Sequence, residues 1–175
     1  LVSLGLLQWG DSLELAARDA LSESIRALVA REAAEAIERA AAVSYTLCRA
    51  EPEGDGIVVW SPESPGSGRP QLAWRTEGAR GLIVQAPHPN YEYDIRAETL
   101  AMFEHLDARA WLVSGSHRCA SDTPSGCDGT TSACGSSEAY TISDPAHSVG
   151  SLFHVVHTVL AELAPDDLVI SVHGM

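Results

Sequence analysis

A chain of 175 residues is long enough for one domain with a real core, and 45% hydrophobic with 20% charged residues is an ordinary globular composition. The formal net charge of -13 sets the surface against the phosphate backbone of nucleic acid. No apolar run approaches the roughly 20 residues that a bilayer span needs.

We read residues 1–175 as a single α/β domain with a helical segment over 11–43 in front. The chain starts at Leu1 and stops at Met175, directly after a strand-like run and a His-Gly pair. This suggests a processed chain, or a domain incomplete at its C-terminal side. Residues 1–7 lack the basic start and the full apolar stretch of a signal peptide.

Asp11 and Glu14 have capping-box spacing before an Ala-rich stretch, which predicts one long helix or two up to residue 43. Leu21, Ile25, Leu28 and Ile37 fall near one helical face, as in a packing helix. Residues 51–56 read as a turn, 57–60 and 72–74 as short strands of a hairpin, and the Pro-, Gly- and Ser-rich 61–70 as a loop. Residues 81–86, apolar except for Gln85, read as a strand of the kind buried on both faces.

From there the pattern alternates. A helix is predicted over 95–109, with Ile95, Thr99, Met102, Phe103 and Leu106 inward, and a strand over 110–114. A loop rich in Ser, Thr and Gly runs to about residue 140. Asp144 then reads most simply as the N-cap of a helix, with a supporting role near the site as the alternative; Pro145 is in the first position and Val149, Phe153, Val156, Leu160 and Leu163 are at core spacing. Residues 168–172 are a last strand. This order predicts a mostly parallel or mixed central sheet flanked by helices.

Cys119, Cys127 and Cys134 crowd the loop, and Cys48 stands apart. Spacings of seven and six intervening residues are not those of a zinc knuckle. They suit a disulfide staple in a secreted or cell-envelope protein.

In open α/β sheets, ligands bind beyond the carboxyl ends of the strands. That rule selects His88, the run from Ser116 to Arg118, and His173-Gly174. A zinc hydrolase site needs three protein ligands and an open position for water. His88 and His173 supply two. The third is Glu92 or Asp94; we favour Glu92, with the other acid capping the helix. Arg118, with its planar fork, suits recognition of a substrate carboxylate, or else pairs with one of the chain's own acids. His117 binds substrate or faces solvent.

On the predicted helix, His147 and His154 lie away from the core side and His157 flanks it, so all three read as surface or packing residues. There is no GxSxG, no GxxxxGK[ST] and no GxGxxG after a strand.

Four runs in residues 82–175 together resemble the zinc carboxypeptidase superfamily, in its branch of N-formylglutamate amidohydrolases and poly-γ-glutamate hydrolases. They are Ala86-Pro87-His88-Pro89 with a following acid, Gly115-Ser116-His117-Arg118, Ser143-Asp144-Pro145-Ala146-His147, and Val169-Ile170-Ser171-Val172-His173-Gly174. The resemblance implies a zinc-carboxypeptidase-like fold, zinc held by His88, Glu92 and His173, and Arg118 engaging an acidic substrate. Three residues separate His88 from Glu92, where the superfamily usually has two. The superfamily's catalytic glutamate lies well beyond the second His, so no residue here is assigned that role. The first 80 residues carry none of the resemblance.

The function expected is hydrolysis of an amide or peptide bond in a small-molecule or peptide substrate, next to a substrate carboxylate. The alternatives are a non-catalytic exported binding domain, and one half of a cleaved precursor whose second chain completes the domain.

Overall fold

A computed structural model describes residues 12–50, 56–135 and 137–174. Asp11 of the expected capping box and most of the expected turn over 51–56 lie outside the described residues.

The N-terminal segment is two helices, α1 (Ser12–Val29) and α2 (Ala33–Ala41), separated at Arg31, whose φ of 68° breaks the helical path. Leu21 and Ile25 of α1 are buried, as the spacing predicts. Ile37 is not: it is 55% exposed, and α2 turns Ala36 and Ala40 inward instead. The break after α1 resets the helical phase, so one wheel does not describe both halves.

A six-stranded sheet follows, in the order β1-β2-β3-β5-β4-β8. Its strands are β1 (Tyr45–Arg49), β2 (Ile57–Pro62), β3 (Gln71–Arg75), β4 (Arg80–Ala86), β5 (Ala108–Val113) and β8 (Leu168–Ser171). The sheet is mixed, not mostly parallel. β1, β2 and β3 form an antiparallel meander whose last strand pairs antiparallel with β5. Only the β5-β4-β8 portion is parallel. The first hairpin strand, β1, has no clear alternation in sequence and adds the third strand of the meander. A separate two-stranded ribbon, β6 (Thr130–Thr131) with β7 (Glu138–Ala139), lies in the cysteine loop.

Helices cover both faces. Leu21 and Ile25 of α1, Ala40 of α2, and Phe153, Val156 and Leu160 of α4 (Leu152–Leu163) pack with Trp60, Leu72, Ile83 and Leu112 on one face. Ile95 and Phe103 of α3 (Ile95–His105) pack with Val84, Ala86, Trp111 and Val113 on the other. The alternation of Ile83 against Val84 and Leu112 against Val113 is the period-two pleat of strands buried on both sides. Polar groups in this core are satisfied. The Trp60 indole N–H donates to Ser24 Oγ at 2.9 Å, and that hydroxyl donates to the Ala36 carbonyl at 2.7 Å.

Two predicted helices are shorter than expected. α3 ends at His105, so Leu106 points outward and the next strand begins two residues earlier than predicted, at Ala108. α4 begins at Leu152, with Ser151 as N-cap accepting from the His154 N–H at 3.1 Å. Asp144 is therefore not its cap, and Val149, 64% exposed, is not a core residue. The apolar repeat at 152, 153, 156, 159 and 160 starts only at Leu152, and the Gly150-Ser151 pair ahead of it supplies the start signal.

The cysteine loop is stapled by Cys119–Cys134, while Cys48 and Cys127 are free thiols. No helix among the described residues is long and apolar enough to cross a membrane.

Candidate metal centre

The parallel strands β5, β4 and β8 end side by side. Beyond Ala86, β5 is held by the Ser114 N–H donating to the Ala86 carbonyl at 3.0 Å. On the other side, the Val172 N–H donates to the Gln85 carbonyl at 2.9 Å. These bonds carry the pairing past the formal strand ends and bring His88 and His173 next to each other. Their ring centroids are 5.1 Å apart.

His88 begins a tight turn in which its carbonyl accepts the N–H groups of both Tyr91 and Glu92, each at 3.0 Å. The turn folds the Glu92 carboxylate back over the imidazole. Glu92 Oε1 is 3.1 Å from His88 Nδ1 and 3.4 Å from His173 Nδ1. Glu92 Oε2 accepts the Gly174 N–H at 2.8 Å. A Cβ on Gly174 would come within 3.0 Å of the Glu92 Cβ, so the chain's close approach there suits glycine. Asp94, the rival carboxylate, stands at the N-cap of α3 in a left-handed conformation and makes no side-chain capping bond. The helix is thus not capped by the acid expected to do so.

His88, Glu92 and His173 form a group whose ligand atoms all lie within 4.8 Å of one another. Two donors, each about 2.0–2.2 Å from a tetrahedral ion, stand roughly 3.3–3.6 Å apart. The Glu92-to-histidine distances of 3.1 and 3.4 Å are close to that spacing. His88 is 2% exposed, whereas the His173 side chain is 46% exposed, so the centre is closed on one side and open on the other.

The far side of His88 is held as firmly. Its Nε2 is 2.8 Å from Asp144 Oδ1, and Asp144 Oδ2 accepts from Arg118 Nη2 at 2.7 Å. Burial pushes the Asp144 carboxyl up, but the hydrogen bonds and charges of His88 and Arg118 outweigh it and hold the group below the usual carboxylate range. One carboxylate thus stands at each nitrogen of the His88 ring, Asp144 at Nε2 and Glu92 at Nδ1. A positive charge belongs between Nδ1 and Glu92, either a proton on Nδ1 or a cation bound to it. Two imidazoles and a carboxylate are also the donor types that a divalent cation takes, so the residues present fit such an ion.

Asp144 was expected mainly as a helix cap. It lies in a non-helical turn where its Oδ1 also accepts the Ala146 N–H at 3.2 Å, and its side chain is 3% exposed. Ser143 secures the turn: its hydroxyl donates to the Arg118 carbonyl at 2.9 Å and its oxygen accepts the Ser121 N–H at 3.0 Å.

Arg118 reaches the centre because β5 ends in a sharp approach at Gly115, where an added Cβ would stand 2.0 Å from the Arg69 carbonyl oxygen. One nitrogen of Arg118 is bound to Asp144, and its Nε is buried without a partner. The guanidinium lies over the Tyr91 ring, 5.5 Å from its centroid. His117 is exposed and meets Tyr91 edge-on at 5.6 Å.

His147, expected to face outward from a helix, is half-buried in the Asp144 turn and stacks on Tyr140 at 3.5 Å. Burial, opposed by Asp144 and reinforced by Arg118, His88 and His173, holds its imidazole below the ordinary histidine range. His157 does sit against the core: its Nδ1–H donates to Gln85 Oε1 at 3.0 Å. His154 lies beside it on α4, at 6.1 Å between ring centroids.

Comparison with family models, curated proteins and solved structures found no match.

Proposed function

We propose that this chain is the metal-holding domain of a zinc-dependent hydrolase that cleaves an amide or peptide bond next to a substrate carboxylate, of the N-formylglutamate amidohydrolase or carboxypeptidase-like type. The observation that carries this reading is the orientation of His88, whose Nε2 is engaged by Asp144 while Nδ1 faces Glu92 and His173. A ligating histidine fixed through its other nitrogen by a carboxylate is the usual arrangement of metal sites.

In this reading His88, Glu92 and His173 would hold zinc. A zinc ion there supplies a water of lowered pKa and polarises a carbonyl. Asp144 fixes the tautomer and rotation of His88, and Arg118 stabilises Asp144 with one nitrogen. The part of the Arg118 fork not bound to Asp144 is the group we assign to a substrate carboxylate. The open His173 side is the approach for substrate. The stapled loop supports a secreted or cell-envelope location, because disulfides persist in oxidising compartments.

A second reading is a metal-holding exported binding domain without turnover. It is favoured by the fact that both carboxylates reaching the centre are occupied, Glu92 by Gly174 and Asp144 by His88 and Arg118. Neither is free to serve as a general base.

The two readings separate on turnover. Zinc-loaded protein is incubated with N-acyl amino acids, N-formyl-L-glutamate and γ-glutamyl peptides, and amine release is followed. Release that is lost in both His88→Ala and His173→Ala supports the hydrolase. Tight zinc binding with no release across the panel supports the binding domain.

A further inference from the structure

The side chain that holds Arg118 in place is itself held by the disulfide loop. Tyr91 lies between Asn90, whose amide donates to the Gly115 carbonyl at 2.6 Å, and Glu92 of the metal centre. Its ring underlies the Arg118 guanidinium, and its hydroxyl donates to the Ala133 carbonyl at 2.7 Å. Ala133 immediately precedes Cys134, and Arg118 immediately precedes Cys119; these two cysteines are bonded to each other. The result is a closed circuit. It runs from Arg118 through Cys119, the disulfide, Cys134 and Ala133 to the Tyr91 hydroxyl, and from the Tyr91 ring back to Arg118.

We propose that Tyr91 is a positioning residue for Arg118, and that the Cys119–Cys134 disulfide makes this positioning dependent on redox state. The proposal rests on the reading of Arg118 as the group that receives a substrate carboxylate. The physical basis is the small number of other restraints on the guanidinium. Its contact with Asp144 fixes one nitrogen, its Nε has no partner, and the Tyr91 face sets the plane of the fork. Bidentate recognition depends on that plane.

Fifteen positions separate the two cysteines, and the described residues between them hold only the two-residue strand β6 and a single bridge at Pro124 as regular structure. Opening the bond removes the covalent restraint beside Ala133 and leaves it the Thr131 Oγ1 contact and the short β6–β7 pairing. The disulfide takes two electrons and two protons from a dithiol, becoming two thiols while the dithiol leaves as its own cyclic disulfide. Ala133 then no longer holds the Tyr91 hydroxyl, and the ring is free to leave Arg118. The metal ligands His88, Glu92 and His173 are outside this circuit. Reduction should therefore weaken anion recognition while leaving the metal in place.

The test is calorimetric, with two separate titrations of the full chain: zinc into apo protein, and N-acetyl-L-glutamate into zinc-loaded protein. Each is run oxidised, after dithiothreitol, and on Tyr91→Phe, Tyr91→Leu, Cys119→Ser/Cys134→Ser and Arg118→Ala, with thermal melts confirming folding. Losing one oriented contact should weaken the carboxylate about five- to tenfold in reduced protein and in Tyr91→Phe alike. Reducing Tyr91→Phe should add little, because both changes break the same link. Zinc affinity should stay within about twofold, since no ligand is touched. Tyr91→Leu, which also loses the ring, should be weaker still for the carboxylate. If Tyr91→Phe and reduced protein bind the carboxylate like wild type while Arg118→Ala does not, the clamp is wrong and the reading of Arg118 stands. If Arg118→Ala binds as wild type, or wild type binds no carboxylate, the reading of Arg118 falls and the clamp with it.

Discussion

The Nε2 of His88 stands 2.8 Å from Oδ1 of Asp144, and this pairing decides which nitrogen of the ring is presented to Glu92 and His173. Both side chains are almost fully buried. Asp144 also takes Arg118, so one carboxylate organises a potential metal ligand and a potential substrate-binding group together.

Replacing Asp144 should therefore disturb more than its own position. Asp144→Ala frees the His88 ring to rotate and leaves a buried guanidinium unpaired. Zinc affinity should fall by about 10- to 100-fold, the usual effect of losing a carboxylate behind a ligating histidine. Asp144→Asn should lose less, because its amide oxygen still accepts from His88 Nε2. Competition titration against a chromogenic chelator measures both. Equal affinity in wild type and Asp144→Ala would mean that the pairing does not orient a ligand.

Gly115 is where the segment leading from β5 to Arg118 passes against backbone. A methyl group there would meet the Arg69 carbonyl oxygen at 2.0 Å and the Arg69 carbonyl carbon at 2.8 Å. Neither atom belongs to a flexible side chain, so a strand end or a loop must move. Gly115→Ala should cost about 1–3 kcal/mol or more, as overpacking does elsewhere. Urea denaturation gives the value directly. The neighbouring Gly66, with open space around its Cβ position but a φ of 82°, should show only the smaller cost of backbone strain.

The buried face of α4 carries a pH dependence. Burial first, and the charge of His154 second, hold the His157 imidazole below its ordinary range, while its Nδ1–H is bound to Gln85. A histidine whose folded pKa is depressed takes up a proton more readily unfolded than folded. Its stabilising effect is complete above the unfolded pKa of about 6.5 and is lost as pH falls through that value toward the folded one. His147 acts in the same direction. Thermal stability should thus fall from about pH 7 toward pH 5. His157→Gln should reduce that slope, and an unchanged slope would assign the dependence elsewhere.

Much of the architecture could be read from residues in strong, unbroken patterns. The run from Gly81 to Ala86 is apolar except for Gln85 because it lies between β5 and β8 with helices on both faces, and it reads correctly as a buried parallel strand. Tyr45 to Arg49 escaped notice because β1 is an edge strand with exposed Thr46, Cys48 and Arg49, so it lacks a clean alternation. Ile37 and Val149 were misplaced for one reason: a helical wheel assumes continuous phase, and the phase breaks at Arg31 and does not begin until Leu152.

The centre was legible in part. His88 and His173 follow strand ends that the fold brings together, with Glu92 in the turn after His88, and strand ends are where the sequence directs attention. The part of Asp144 was obscured by Pro145, since an Asp-Pro pair before an apolar run reads as a helix start. Tyr91 gave no signal, because its partners Ala133 and Arg118 are distant in sequence and meet it only through the loop.

The measurement that bears most directly on the central claim is metal content by elemental analysis of wild type, His88→Ala and His173→Ala, each purified without chelator and again after zinc addition. The account predicts about one zinc per chain in wild type and loss of it in both variants, as for a site with three protein ligands. Wild-type protein that retains no metal after zinc addition, or variants that retain it undiminished, would contradict a metal centre at His88, Glu92 and His173.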